Sequence, residues 1–184
     1  PDYFGKDFVL NDLTHDGGLT AIRIEGPTNS VDQRANRLSK ELGLLDQELS
    51  ILDSEQSNIF WSRTKNLEVF KSLKSNLLRI VLPMSETLQV IQKLKNFEIK
   101  YFIDWAGGLI WASFDQLNTK ILSEIKDTVK KHQGYITLIK VEEDLKASAD
   151  IFTIDPIKYK ISEKIKRSFD PKRIFNPGKM YTGI

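Results

Sequence analysis

The apolar positions of this chain switch between two periods, and the switches mark its elements. From residue 19 the side chains alternate, with Leu19, Ala21, Arg23 and Glu25 against Thr20, Ile22 and Ile24, which predicts a strand ended by Gly26-Pro27. Ser30 with Gln33 three residues on forms a capping-box pattern. Val31, Ala35, Leu38 and Leu42 then follow at helical spacing, and Gly43 is placed to close the helix. Leu44 to Leu52 reads as a second strand. Asp53 or Ser54 caps a helix running to about Lys71, with Phe60, Arg63, Leu67 and Phe70 on one side.

The second half repeats the alternation more clearly. Leu77 to Leu82 is a short apolar run stopped by Pro83, a buried strand that contains one charge, Arg79. Ser85 caps a helix with Leu88, Ile91 and Leu94 inward. Ile99, Tyr101, Ile103 and Trp105 alternate with Lys100, Phe102 and Asp104, Gly107-Gly108 supplies a turn, and Leu109 to Phe114 returns: a hairpin. Asp115 starts a helix carrying Leu117, Ile121, Ile125 and Val129, with His132 in its last turn and Gly134 beyond. Tyr135 to Ile139 is a further strand. Asp155 and Pro156 open a final helix with Ile157, Ile161 and Ile165 inward.

From Leu77 the order is strand, helix, strand, strand, helix, strand, the ferredoxin-like βαββαβ unit. The fold class expected is therefore α+β, mostly antiparallel sheet with helices packed on one face. Residues 1–18, which include the turn-forming His15-Asp16-Gly17-Gly18, read as a connecting segment ahead of one domain over residues 19–184.

Composition narrows the chemistry. The chain has no cysteine, which excludes disulfides, thiolate metal sites and cysteine nucleophiles. No apolar run approaches the roughly 20 residues that span a bilayer. The beginning has neither a basic nor an apolar leader region and no Met, which suits a fragment or a processed chain. The net charge of +2 hides an asymmetry: residues 157–184 carry +6, which leaves −4 for residues 1–156. The basic end is a candidate anion site, although four of its charges suit the solvated side of one helix.

No phosphate-cradling loop is present among the ten glycines. The two histidines, His15 and His132, stand in no ligand spacing, so no metal site is expected. His132 suits a helix C-terminus, and His15 suits a turn. Arg79 is more informative. A guanidinium inside an apolar strand requires a carboxylate partner or an anionic ligand, unless it faces solvent from a sheet edge. Asp104 could pair with it, cap the turn or face a ligand. The closing stretch, Asp170 to Tyr181, contains two prolines and Gly178, and so makes a rigid basic turn where the last helix must stop.

The ending Asp170-Pro171, then Asn176-Pro177-Gly178-Lys179, resembles the carboxyl terminus of FAD-linked oxidases of the vanillyl-alcohol-oxidase type. The likeness is strongest to the flavin-binding E subunit of bacterial glycolate oxidase. His15-Asp16-Gly17 before Ile22 to Gly26, Leu78-Arg79-Ile80 before Leu82-Pro83, and Asp104-Trp105-Ala106-Gly107-Gly108 before Trp111 add to the resemblance in the expected order. The resemblance implies a cap domain that covers the flavin and shapes a 2-hydroxy-acid pocket, with the N-terminal FAD-binding domain absent. Asn176, Gly178 and Lys179 would approach the FAD, Arg79 would meet the substrate carboxylate, and the catalytic residues are not assigned.

The resemblance further implies that these 184 residues alone are inactive and hold no FAD. The expected partners are the missing flavin domain, the hydroxy acid and other subunits of a glycolate-oxidase-like complex, with no nucleic acid. The location implied is cytoplasmic, or peripheral to the inner membrane through partner subunits. The rival reading is a ferredoxin-like module that binds RNA or protein, in which Trp111 and Phe114 occupy the strand where an RNA-recognition motif stacks bases.

Overall fold

The computed structural model describes residues 19–43, 50–71, 76–142, 145, 150–153, 155–179 and 181. The chain divides into two compact units, Pro1–Val69 and Phe70–Ile184.

Within the described residues the first unit is helical. Helix α1 spans Thr28–Glu41 and begins two residues before the expected cap: Pro27 takes the N-cap place, and its carbonyl accepts from Ser30 and Val31, so the Ser30–Gln33 pair is not used as a capping box. Gly43 closes the helix in the left-handed region, at φ +63°. Residues 19–25 form no strand. Arg23 instead pairs with the Glu25 side chain and reaches Asn58, and Arg34 donates to the Glu25 carbonyl, one backbone group that a ladder would use. Of the strand expected at 44–52, residues 50–52 are irregular and the rest lie outside the described residues. Helix α2, Ser54–Lys65, is capped by Asp53, one of the two expected caps, and Gln56 completes a capping box that the sequence reading did not include. It stops short of Lys71, because Leu67 turns left-handed at φ +54° and a 3₁₀ turn, Glu68–Phe70, follows.

The second unit is built on four strands: β1 (Asn76–Val81), β2 (Ile99–Asp104), β3 (Leu109–Phe114) and β4 (Tyr135–Lys140). Their order across the sheet is β2-β3-β1-β4 and every pairing is antiparallel. Helix α3 (Thr87–Leu94) joins β1 to β2, and α4 (Thr119–Lys131) joins β3 to β4. The alternation read from the sequence sends Leu78, Ile80, Ile110, Ala112, Phe114, Ile136 and Leu138 to one side. There they form one buried cluster with Val90, Ile91 and Leu94 of α3 and Leu122, Ile125 and Val129 of α4.

Three details of this unit differ from the pattern. A 3₁₀ turn, Met84–Glu86, precedes α3 and rotates it, so Thr87 and Val90 are buried while Leu88, expected inward, is exposed. Asn118 caps α4 in place of Asp115, and the buried Leu117 packs ahead of the helix. Helix α5 (Pro156–Phe169) has the expected Asp155 cap and Pro156 start, but Ile157, Ile161 and Ile165 are exposed, where an inward stripe was expected. The partly covered side of α5 is Tyr159, Ser162, Glu163 and Lys166. Residues Ile151 to Thr153 run along the outer edge of β4 and hydrogen-bond to Ile136 and Leu138, which shields that edge.

Candidate functional site

Alternation along β1 places Arg79 on the sheet face opposite α3 and α4. Its cross-strand partners are Trp111 on β3 and Thr137 on β4, and Trp111 is itself opposite Phe102 on β2. Directly paired residues share a face, so Phe102, Trp111, Arg79 and Thr137 make one row across the sheet. Phe102 is buried and stacks on Phe70 with ring centroids 5.7 Å apart. Trp111 and Arg79 are half-buried. Because β1 is an interior strand, Arg79 does not face solvent from an edge. No carboxylate pairs with it among the described residues.

What meets the guanidinium is an aromatic ring. Arg79 Cζ lies 5.0 Å from the ring centroid of Trp105, a residue that is 58% exposed. The stacked arrangement leaves the N–H edge of the guanidinium available for in-plane acceptors. Trp105 is presented by the β2–β3 turn, where Trp105, Ala106 and Gly107 have φ of +52°, +51° and +107°. Two successive non-glycine residues in the left-handed region carry strain of about 1–2 kcal/mol each. The turn is pinned against it. Trp105 N–H donates to Asp104 Oδ1 at 2.7 Å, Gly108 N–H to the Trp105 carbonyl, and the Thr87 hydroxyl to the Gly107 carbonyl. Asp104 therefore caps the turn.

The Asp170–Tyr181 stretch is anchored at both ends. Asp170 is buried at the C-cap of α5 and takes N–H donors from Ile174 at 2.9 Å and Phe175 at 3.0 Å. Lys166 Nζ reaches Asp170 Oδ2 at 2.7 Å and also donates to the Phe175 carbonyl at 2.6 Å. The Lys166 hydrogen bond and the two backbone donors hold the Asp170 carboxyl down at about 2, against the opposing pull of desolvation. At the far end Tyr181 is buried between Phe152 and Tyr159, with centroids 5.8 and 6.1 Å away, and burial pushes its phenol up.

Between these anchors Asn176-Pro177-Gly178-Lys179 is exposed. Lys179 N–H donates to the Asn176 carbonyl at 3.2 Å and Gly178 sits at φ +67°. With proline at the second position and glycine at the third, this is a type II turn. Nothing lies within 4 Å of the place a Gly178 Cβ would take, so the glycine answers the backbone angle and not a close neighbour. No hydrogen bond or ion pair joins this turn to Arg79 among the described residues.

The turn can offer FAD an amide and an ammonium at its rim. Neither the turn nor the Arg79 face includes, among the described residues, the run of backbone N–H groups that a pyrophosphate needs.

A second polar cluster escaped the sequence pattern. His132 caps α4 and its Nδ1 is 2.6 Å from Glu86 Oε2, while its Nε2 is 3.2 Å from Lys93 Nζ. With Nδ1 donating to the carboxylate and Nε2 accepting from the ammonium, the ring links α4 to α3 and to the turn before it. Glu86 and Lys93 are 46 and 39 residues from His132 in sequence, a separation that local patterning does not bridge. His15 lies outside the described residues. Among those described, no group of three or more histidine, aspartate or glutamate side chains could hold a metal ion, and no helix is long and apolar enough to cross a membrane. Comparison of the chain with protein-family models, with curated proteins and with solved structures finds no match in any of the three.

Proposed function

We propose that this chain is the cap portion of an FAD-dependent 2-hydroxy-acid oxidoreductase of the glycolate-oxidase kind. In this reading its β1-α3-β2-β3-α4-β4 unit is ferredoxin-like, supported by the strand order β2-β3-β1-β4. The observation that carries the function is Arg79: a half-buried guanidinium without a carboxylate partner among the described residues, stacked on an exposed indole that a strained turn presents. Such a fork takes a carboxylate through two parallel N–H···O bonds. Trp111 and Trp105 flank it with apolar surface that suits the short carbon skeleton of a hydroxy acid. The flavin, held by a separate domain, supplies hydride acceptance when bound. This chain's residues bind and orient the acid, while Asn176, Gly178 and Lys179 stand at the flavin's rim. Ile174 and Phe175, exposed beside that turn, give a second body apolar surface to cover.

Ligand-observed NMR with glycolate and with ethylene glycol, which lacks the carboxylate, tests the reading. Glycolate alone binds, and Arg79→Gln weakens it about tenfold or more, the worth of a charge-assisted hydrogen-bond pair. Equal signals from both compounds, or no change on substitution, would falsify the carboxylate clamp. Gel filtration with FAD tests the division of labour: stoichiometric FAD retained by this chain contradicts a flavin held elsewhere.

The row of Phe102, Trp111 and Arg79 across one sheet face also supports a second reading, a module that stacks single-stranded RNA. Phe102 lies under Phe70, so Trp111 and Trp105 are the rings left to stack. Salt-sensitive binding of an RNA oligonucleotide, lost in Trp111→Ala, favours that reading, and its absence at low salt removes it.

A further inference from the structure

Helix α5 is turned inside out. Its partly covered side is polar, comprising Tyr159, Ser162, Glu163 and Lys166, with Lys166 bonded to Asp170 and Tyr159 set against Tyr181. Its apolar residues face outward: Ile157 is 72% exposed, Ile161 53%, Ile165 54% and Phe169 84%. They recur every fourth residue and so form one ridge along about 20 Å of helix. Lys158, Lys160, Lys164 and Arg167 border the ridge, and all four are exposed. Asp155 lies 3.7 Å from Lys158 and Glu163 2.9 Å from Arg167. Lys160 and Lys164 have no carboxylate partner among the described residues.

Three occupants could cover such a ridge, and charge and composition separate them. A second copy would bring the same lysines against these, and like charges at close range oppose the pairing. A protein groove would have to strip water from lysines, the side chain that protein interfaces disfavour because a compact ammonium is strongly hydrated. A lipid surface imposes neither cost. Aliphatic side chains enter the acyl boundary while the lysine stems extend and leave their ammonium groups among the headgroups.

We propose that α5 is an interfacial helix that lays Ile157, Ile161, Ile165 and Phe169 into an anionic bilayer, held by Lys158, Lys160, Lys164 and Arg167. The occupation of this ridge does not depend on the hydroxy-acid reading. The helix lies on the membrane and does not span it.

Co-sedimentation of the full chain with vesicles tests the proposal, using phosphatidylcholine alone and phosphatidylcholine with about one-third phosphatidylglycerol at low ionic strength. The chain partitions onto the anionic vesicles, is released by 0.5 M salt as the attraction is screened, on the order of a 3–8 Å Debye length, and binds neutral vesicles weakly. Ile161→Glu with Ile165→Glu lowers partitioning about tenfold or more, and Lys160→Glu with Lys164→Glu lowers it by a similar factor. All four positions are exposed, so unchanged circular dichroism certifies the variants as folded. Absence of sedimentation with anionic vesicles overturns the proposal in favour of a protein groove. Binding that survives the isoleucine substitutions overturns it as well. So does a dimer in sedimentation velocity that those substitutions dissolve, which would assign the ridge to a second copy.

Discussion

Single residues of the second unit carry opposite conformational debts. A Cβ on Gly134 would lie 2.7 Å from Val129 Cγ1 and 2.9 Å from the Val81 carbonyl oxygen, and both neighbours belong to packed elements that have little room to shift. Gly134→Ala therefore destabilises by about 1–3 kcal/mol, the usual cost of overpacking, read as a lower urea midpoint at unchanged slope. Ala106 is the reverse case. It sits at φ +51° beside the equally left-handed Trp105, and replacement by glycine removes a cost of about 1–2 kcal/mol while raising unfolded-state freedom by about 0.5–1 kcal/mol. Ala106→Gly is expected to stabilise by about 0.5–1 kcal/mol in the same titration. An unfolding midpoint that falls would show that the left-handed turn is unstrained.

At the scale of elements, the closing turn behaves as a clasp that acid opens. The Asp170 carboxyl is held at about 2, below its ordinary 3.8, chiefly by Lys166. A depressed carboxyl stabilises the folded clasp fully above the ordinary value, and the stabilisation is lost as the pH falls from about 4 towards 2. Amide exchange reports this directly: Ile174 and Phe175, whose N–H groups bond Asp170, lose protection over that window while β1 and β3 keep theirs. Asp170→Asn keeps one acceptor but loses the charge on Lys166. Its Ile174 and Phe175 amides should exchange faster at pH 7, without the acid step.

The contrast between the elements that the sequence foretells and those it does not has a physical basis. Strands β1 to β4 and the hairpin were legible because each buries one face against α3 and α4, so packing enforces the period that the chain displays. The strand expected at 19–25 shows the same alternation, but no second strand pairs with it among the described residues, and Arg34 takes up the Glu25 carbonyl. Helix α5 misled for a related reason: an apolar ridge says that a face seeks cover, and not which body supplies it. Arg79 was legible as a charge in an apolar strand. Its stacking on Trp105 was not, since only the left-handed turn brings the indole over it.

For the whole molecule, the division into Pro1–Val69 and Phe70–Ile184 makes a claim about autonomy. The second unit has one continuous core, in which Leu78, Ile80, Ile110 and Phe114 from the sheet meet Val90, Leu94, Ile125 and Val129 from α3 and α4, all fully buried or nearly so. Phe70 lies in the second unit and stacks on Phe102 on the sheet's other face, so a chain cut just before Phe70 keeps that ring. Residues Phe70–Ile184 expressed alone should thus unfold in one cooperative urea transition, as single domains of this size do. Phe114→Ala within that piece removes a ring that is fully buried and lowers its stability by about 3–5 kcal/mol. Arg79, Trp105 and Trp111 all lie in the same piece, so the proposed carboxylate clamp predicts that it binds glycolate as tightly as the full chain. A sloping, non-cooperative transition would sink the claim of autonomy. A cooperative fold that does not bind glycolate would count against the proposed Arg79 clamp.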